Sequence, residues 1–223
     1  MTANNAGAVI NLDGDVTLSS GLASLYAIDD ITVTGTVSGA QALTVETSTA
    51  ATSIIQFQSN VGTAPLTPLG AITIANGYDV TFGGSVSAAS ITQTDGANST
   101  TFTGNVTTTG AITITDANDV TFNGTVGAVS IGQAAGSGTT TFVQNVTTSG
   151  AAGVNITTTG ITLDGLTIQA NGTGIARFNG PVTLSSNDVT INTANGAVSF
   201  LSTVNGAQNL SVTAGTNRAV TFG

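Results

Sequence analysis

The sequence predicts an all-β protein: a right-handed parallel β-helix (β-solenoid) with about 20 residues per coil, roughly eleven coils and little or no helix. Three observations predict it. A forty-residue segment occurs twice in succession, phenylalanine and valine recur every twenty residues within it, and apolar residues alternate with threonine along short runs. A fixed period of this kind is typical of stacked units that cannot bury an apolar face alone. The function most natural to such an array is mechanical.

The repeat is clearest between residues 70 and 149. Residues 70–109 align with residues 110–149 without a gap, and 23 of the 40 positions are identical. Each half divides again, because four phenylalanines follow one another at steps of 20 residues and a valine lies four residues after each. The phenylalanines are Phe82, Phe102, Phe122 and Phe142, and the valines are Val86, Val106, Val126 and Val146. We therefore expect residues 70–149 to be the most regular part of the protein.

Each coil is predicted to hold two or three short strands separated by corners. Val80 and Phe82 point to one face of a strand while Thr81 points to the other, as period-2 alternation requires. Gly83 and Gly84 follow directly and permit a sharp bend of the backbone. No segment has the i, i+3, i+4, i+7 spacing of an amphipathic helix, so we expect helix to be close to absent.

Two all-β architectures use such strands, antiparallel hairpins and the coils of a parallel solenoid. Constant spacing of equivalent residues favours the solenoid, because each residue then lies above its equivalent in the neighbouring coil, about 4.8 Å away. Antiparallel pairing would mirror the sequence, and no mirrored register is present. Roughly eleven coils give a body about 50 Å long. The preferred hand of parallel crossovers predicts a right-handed coil.

A shorter motif, Asp-[Val/Ile]-Thr followed by an apolar residue, joins both ends of the chain to the regular part. It begins at Asp15, Asp30, Asp79, Asp119 and Asp188. We therefore expect residues 1–223 to form a single β-solenoid, as a segment of a longer repeat protein.

Two stretches depart from the repeat. Residues 47–69 contain Pro65 and Pro68, which interrupt strand pairing, so we expect an enlarged coil or a lateral loop there. In the second stretch, residues 147–175, the ladder of phenylalanines skips, because the next ring after Phe142 is Phe178.

The charge composition excludes two classes of partner. Charged residues make up 6% of the chain, the formal net charge is −9, and there are two arginines but no lysine or histidine. Phosphate-led binding of nucleic acid needs a basic surface, so we expect no nucleic-acid partner. The apolar runs are too short to span a bilayer, and the negative charge disfavours anionic lipid. We therefore expect no membrane insertion.

Carboxylates are the first candidates for catalysis, because parallel β-helices commonly carry polysaccharide-degrading activity. Such enzymes need acids clustered on one patch with basic groups or a metal beside them. In this chain five aspartates precede strand starts, where an aspartate has a structural role in a turn. Without histidine or lysine, catalysis also lacks its usual general bases. We expect no enzyme, no catalytic residue and no bound organic cofactor.

Calcium is the one ion that the sequence suggests. Asp13 and Asp15 flank Gly14, and Asp29 and Asp30 are adjacent, so each pair can share an oxygen-ligated ion. Neither an EF-hand loop nor the calcium-binding nonapeptide pattern is present. The two aspartate pairs are therefore the calcium candidates, and no other metal or cofactor site is predicted.

Three segments carry a resemblance to a known family: DVTFNGTV (119–126), GAQNLSV (206–212) and VGTAPLTPLGAITI (61–74). With them the chain resembles the β-strand-repeat segments of giant bacterial surface and extracellular proteins, in the company of filamentous-haemagglutinin-like adhesins. The resemblance implies a right-handed parallel β-helix within a very long exported protein or fibre, located outside the cell or on its surface. It transfers no functional residue, because the repeats of that family are scaffold.

These observations lead to two hypotheses of function. The first is a structural repeat module of a long extracellular or cell-surface protein, a rigid stalk or filament segment. Because the open ends of a solenoid expose unpaired backbone groups, it would self-associate end to end into filaments. The alternative is an adhesive binding module, which recognises a glycan or a protein on a neighbouring cell surface. That module would bind through the lateral loop at 47–69 or through a face rich in threonine and asparagine, such as the one with Thr101 and Thr103.

Overall fold

The computed structural model describes residues 1–3, 5, 7–48, 52–62 and 67–223, and over these residues it has 29 strands and no helix. The first fifteen strands are β1 (Thr2–Ala3), β2 (Ile10–Leu12), β3 (Val16–Thr17), β4 (Ala23–Ala27), β5 (Ile31–Val33), β6 (Val37–Ser38), β7 (Leu43–Thr47), β8 (Ile54–Phe57), β9 (Leu69–Asn76), β10 (Asp79–Phe82), β11 (Val86–Gln93), β12 (Ser99–Phe102), β13 (Val106–Thr108), β14 (Ala111–Ile114) and β15 (Asp119–Phe122). The remaining strands are β16 (Val126–Ala128), β17 (Ser130–Gln133), β18 (Thr139–Phe142), β19 (Val146–Thr148), β20 (Val154–Ile156), β21 (Gly160–Leu163), β22 (Thr167–Ala170), β23 (Ala176–Phe178), β24 (Val182–Leu184), β25 (Val189–Thr193), β26 (Val198–Phe200), β27 (Val204–Asn205), β28 (Leu210–Thr213) and β29 (Val220–Phe222).

The strands form three parallel stacks, and every coil of the chain passes through them in the same order. Stack I is the ten-stranded sheet β2, β5, β8, β10, β12, β15, β18, β21, β24 and β27. Stack II contains β3, β6, the bridge residue Val61, the first half of β11, β13, β16, β19, β22, β25 and β28. Stack III contains β1, β4, β7, β9, the second half of β11, β14, β17, β20, β23, β26 and β29. The predicted parallel β-solenoid is confirmed.

The coils are slightly fewer and longer than predicted. Stack I has ten strands, so the described residues make about ten coils in place of eleven. The step between aligned residues is 20 from Val80 to Thr100 and again to Val120, as the sequence predicts. It rises to 24 from Ile31 to Ile55 and to 25 from Ile55 to Val80, and it is 21 or 22 in the three steps from Thr140 to Val204. These longer steps together account for the smaller number of coils. The right hand of the coil stays a prediction.

The stretch predicted as an enlarged coil or lateral loop is only partly described. Residues 49–51 and 63–66, with Pro65 among them, lie outside the described residues. Between them β8 keeps its place in stack I, where it pairs with β5 on one side and β10 on the other. Pro68 directly precedes β9, at the start of a strand, where a missing backbone N–H is tolerated.

The core between the stacks is mostly apolar, and phenylalanine rings stack within it. Five rings follow one another in stack I with centroids 4.9 to 5.1 Å apart and planes within 6°. They are Phe57, Phe82, Phe102, Phe122 and Phe142. The prediction that this ladder skips and resumes at Phe178 is wrong. Phe178 lies in stack III, where it begins a second ladder with Phe200 and Phe222.

Candidate functional site

The five aspartates of the Asp-[Val/Ile]-Thr motif begin a strand or directly precede one, and each accepts a hydrogen bond from the next coil. In Asp119, Oδ1 accepts the backbone N–H of Thr139, 20 residues further along the chain, at 2.6 Å. The other four pairs are Asp15 with Thr36, Asp30 with Ile54, Asp79 with Ser99 and Asp188 with Asn209. An ionised carboxylate is a strong acceptor for a backbone donor. Each motif therefore joins its own coil to the next one, which is a more specific role than the turn residue that the sequence predicts.

Asparagine side chains form the same kind of contact between coils at the corner before stack II. Oδ1 of three asparagines accepts a backbone N–H from the following coil: Asn60 from Ser85, Asn105 from Thr125 and Asn145 from Thr167. In six of these eight pairs the donor in the next coil is a serine or threonine; the exceptions are Ile54 and Asn209. Within residues 70–149 an Asp or Asn acceptor and a serine or threonine alternate from coil to coil at both corners, which matches the forty-residue repeat of the sequence.

Hydrogen bonding lowers the pKa of two of these carboxyls. The backbone N–H of Thr36, followed by its hydroxyl, holds the pKa of Asp15 below its ordinary value. The side-chain amide of Asn209, followed by its backbone N–H, lowers the pKa of Asp188 in the same way. In both cases the ionised form makes the contact between coils.

The four calcium candidates lie at two different corners of the first coils. Asp13 and Asp15 lie between β2 and β3, whereas Asp29 and Asp30 lie between β4 and β5. Oδ1 of Asp15 accepts both the N–H and the hydroxyl of Thr36 at 2.8 Å. Within the described part of the chain, no three acidic, histidine or cysteine side chains are grouped so as to hold a metal ion. Calcium binding at either pair stays a prediction.

Charge is distributed unevenly along the solenoid. Nine of the eleven acidic residues lie in residues 1–119, which contain no basic residue, so their side-chain charge is −9. Residues 120–223 contain two aspartates and two arginines, and their side-chain charges cancel. Nε of Arg177 donates to Oδ1 of Asn179, and Nε of Arg218 donates to the backbone carbonyl of Asn195, each at 2.9 Å.

The outward side of stack I carries an unbroken column of six threonines. Parallel register aligns Thr81, Thr101, Thr121, Thr141, Thr162 and Thr183. One hydroxyl is thus presented per coil, at the spacing of adjacent strands, about 4.8 Å. This column is the regular part of the threonine-rich face that the sequence predicts. A second column beside it is interrupted, because Gly83, Asn123 and Val143 take the places equivalent to Thr103.

A polar pair inside the core was missed by sequence reasoning. Gln133 and Thr140 are 2% and 1% exposed, and the Thr140 hydroxyl donates to Oε1 of Gln133 at 2.5 Å. Nε2 of Gln133 donates to the backbone carbonyl of Ala135 at 3.2 Å. Gln93 and Thr100 take the equivalent places forty residues earlier, but there both amide atoms of Gln93 and the Thr100 hydroxyl are buried without a partner.

The coil between these two polar pairs is apolar. Ile114 aligns with both glutamines, and Val120 aligns with both threonines. The adjoining corner also differs between these coils. Gly96 leaves no room for a side chain, because a methyl group added there would lie 2.1 Å from Nε2 of Gln93. The intervening coil instead has a buried alanine at that corner, Ala117. Two glutamines at inward positions forty residues apart were the signal in the sequence.

Comparison with known proteins finds no matching family model, no matching curated protein and no matching solved structure. The described residues include no helical segment with the length and hydropathy of a membrane span. The resemblance to filamentous-haemagglutinin-like segments stays a prediction, and the function has to be argued from geometry.

Proposed function

We propose that this chain is a structural repeat module of a long extracellular or cell-surface protein, acting as a rigid stalk or filament segment. The observation that carries the proposal is the unbroken parallel pairing of stack I through ten strands. Nine steps between those ten strands, each of about 4.8 Å, span about 43 Å. The number of coils sets the length of such a body, and a fixed length is what a spacer needs.

Two features of the packing support stiffness. The apolar core is continuous, because inward residues of each coil contact the equivalent residues of the coils on either side. Polar contacts at the corners reinforce this core, since the Asp and Asn acceptors also join successive coils. Bending the solenoid would pull stacked rings apart and break hydrogen bonds on one side. These contacts between coils therefore oppose bending.

The proposed location outside the cell is supported by the surface composition and by the resemblance to surface-protein repeats. Threonine, serine, asparagine and glycine supply the polar surface in place of charged residues, which are only 6% of the chain. A repeat of this composition suits a long exported fibre whose role is mechanical.

Small-angle X-ray scattering of the purified chain, combined with electron microscopy, tests the proposal. We expect a rod of constant width whose length agrees with ten stacked coils. Two neighbouring residues of β13 provide matched variants, because Val106 is buried and Thr107 is exposed. Val106→Asp should destroy the rod and Thr107→Asp should preserve it. A flexible or compact particle from the unmodified chain would refute the stalk.

End-to-end stacking into filaments is part of the same proposal. The last coil leaves core residues uncovered, with Phe222 62% exposed and Val220 39% exposed. Strand edges of this kind are templates for further strands. Electron microscopy over a concentration series, with and without calcium, should show filaments one solenoid wide. Particles that stay single at every concentration would exclude stacking while leaving the stalk itself intact.

A second candidate function is an adhesive module, which recognises a glycan or a neighbouring cell surface through the threonine column or the segment 47–69. The observation that favours it is the unbroken column on stack I. Binding to a glycan array and to cells should then be lost in Thr101→Asp and kept in Thr107→Asp, a control on stack II. Deleting residues 63–66 tests the segment 47–69 separately. If the unmodified chain binds no glycan and no cell surface, this candidate is eliminated.

A further inference from the structure

The contacts that Asp and Asn side chains make between coils are staggered along the solenoid. The coils are numbered by their stack I strands, so that β2 lies in coil 1 and β27 in coil 10. At the corner before stack II, these contacts join coil 1 to 2, 3 to 4, 5 to 6, 7 to 8 and 9 to 10. Where the chain enters stack I, they join coil 2 to 3, 4 to 5 and 6 to 7. Among the described residues, only the junction between coils 8 and 9 is crossed by neither set.

The gap at this junction has a cause in the sequence. One more step of the pattern at the entry to stack I would place an acceptor in coil 8 and a donor in coil 9. Parallel register puts Gly160 at the acceptor position, since it pairs with Thr139, and it puts Pro181, directly before Val182, at the donor position. Glycine has no side-chain oxygen, and proline has no backbone N–H. Neither half of the contact can therefore form.

Other side chains do not replace the missing contact. Coil 8 (residues 158–179) and coil 9 (residues 180–201) lie wholly within the described part of the chain. Seven hydrogen bonds that involve a side chain join coil 8 to coil 7, and four join coil 9 to coil 10. Those that remain in these two coils stay within one coil, so none joins coil 8 to coil 9. Asp164 of coil 8 is an available acceptor, but its buried Oδ1 has no partner.

The aromatic contact across this junction is also the least regular. The rings of Phe178 and Phe200 have centroids 5.3 Å apart and planes inclined by 18°. The other five ring contacts have centroids 4.9 to 5.1 Å apart and planes inclined by at most 11°. Coils 8 and 9 are therefore held together by strand pairing and by the apolar core, without the polar contacts that reinforce the neighbouring junctions.

We propose that the junction between coils 8 and 9 is a yield point of the solenoid, at which coils 9 and 10 separate from coil 8 as one unit. The stability of a repeat protein is close to a sum of terms for its repeats and for the junctions between them, so the least stabilised junction opens first. Coil 10 leaves together with coil 9 because four hydrogen bonds that involve side chains join these two coils. The mechanical use of such a point, to extend the stalk locally under load while coils 1 to 8 stay folded, rests on the proposed stalk function.

Native-state hydrogen exchange followed by NMR tests the order of opening. The backbone N–H of Ile161 donates across the junction between coils 8 and 9, that of Asp164 donates to coil 7, and that of Val198 donates to coil 10. If coils 9 and 10 leave together, Ile161 and Val198 should exchange at a common rate. Asp164 should exchange about tenfold more slowly or less, because a polar contact reinforces its junction. An Ile161 that exchanges as slowly as Asp164 would overturn the proposal.

Supplying the missing contact should remove the yield point. In Gly160→Asp with Pro181→Thr, the added carboxylate can accept the added N–H, as Asp119 accepts that of Thr139. A Cβ at Gly160 would lie 2.9 Å from Oγ1 of Thr139, the end of a side chain that can rotate. Exchange at Ile161 should slow by about tenfold, whereas each single substitution, which supplies half of the contact, should not slow it. An unchanged rate in a double variant that circular dichroism shows to be folded would overturn the proposal.

The reverse exchange moves the gap to a junction that has the contact. Asp119→Gly with Thr139→Pro reproduces, between coils 6 and 7, the residues found between coils 8 and 9. The backbone N–H of Val143 donates across this junction, and that of Asn123 donates to coil 5. Exchange at Val143 should become about tenfold faster and exchange at Asn123 should not change. No change at Val143 would show that the Asp–Thr contact does not control opening, even if the repaired chain fails to fold.

Stretching single molecules in optical tweezers tests the mechanical role. Coils 9 and 10 comprise residues 180–223, so the first step should lengthen the chain by about 150 Å, and it should require more force in the repaired chain. A first step half as long would mean that coil 10 leaves alone and would contradict the proposal. The stalk is decided separately: a rod in scattering with an even gradient of exchange rates refutes the yield point only. A compact particle with the expected exchange pattern refutes the stalk only.

Discussion

Two regions of the solenoid build the same core with their large rings in different places. In residues 54–142 the rings lie in stack I, and stack III contributes smaller residues such as Ile74 and Ile114 at the inward position. In residues 160–223 the rings lie in stack III, and stack I contributes Leu163 and Leu184. A close-packed core requires a roughly constant volume at each level, and either stack can supply the ring. The ladder therefore changes stacks without changing the fold.

Removing an interior ring should have the largest effect, and it should be equal in the two regions. Phe102 and Phe200 each lie between two stacked rings and are at most 1% exposed. Either ring replaced by alanine should lower the free energy of unfolding by about 3–5 kcal/mol. Urea unfolding monitored by circular dichroism measures it. Phe222→Ala is the control, with a much smaller loss because that ring is largely exposed. A loss confined to one ladder would show that the two cores are not equivalent.

Moving a ring between stacks should couple two substitutions in the same coil. Leu163→Phe alone should overpack the core and cost about 1–3 kcal/mol, and Phe178→Leu alone should leave a cavity at its position in stack III. Combined, they shift the change of stacks by one coil, so the double variant should be more stable than the sum of the single losses predicts. A double-mutant cycle of unfolding free energies gives the coupling. Strict additivity would mean that the volume at each level is not shared between stacks.

The two regions also differ in the residues that face the rings. Gln93 and Gln133 lie opposite the rings of stack I, whereas no glutamine lies at the equivalent position opposite the rings of stack III. Gln93→Ile with Thr100→Val copies the neighbouring coil, which has Ile114 and Val120 at these places. Since the Gln93 amide and the Thr100 hydroxyl are buried without partners, we expect a gain of about 1–2 kcal/mol in the free energy of unfolding.

The matched control is the same exchange forty residues later. Gln133 and Thr140 bond to each other, so Gln133→Ile with Thr140→Val should be nearly neutral. Both double variants are measured by urea unfolding beside the unmodified chain. Equal gains at the two sites would show that the difference in hydrogen bonding between them has no energetic weight.

The fold could be predicted from the sequence more completely than the position of each side chain. Period-2 alternation shows that Phe178 points inward, but it does not show into which stack, because inward residues of all three stacks look alike. The five Asp-[Val/Ile]-Thr motifs were correctly assigned a structural role, yet their partners lie 20 to 24 residues away and depend on the register of coils. That register is a long-range property, and the irregular coil lengths between Ile31 and Val80 hide it.

The smallest expected effect is on the stability of the protein at acid pH. It is tested at Asp188 in the second region, with Asp116 in the first region as the control. Hydrogen bonds from Asn209 lower the pKa of Asp188 below its ordinary value of 3.8 in the folded protein. The stability that this carboxylate contributes is fully present above that value and is lost as the pH falls through the lowered pKa. Thermal unfolding midpoints measured from pH 7 to pH 2 should therefore fall less steeply in Asp188→Asn, which retains an oxygen for the Asn209 N–H. Asp116→Asn, an exposed carboxylate of the first region, controls for the general effect of removing a charge. Identical acid profiles for the two variants would mean that the contact between coils contributes nothing specific.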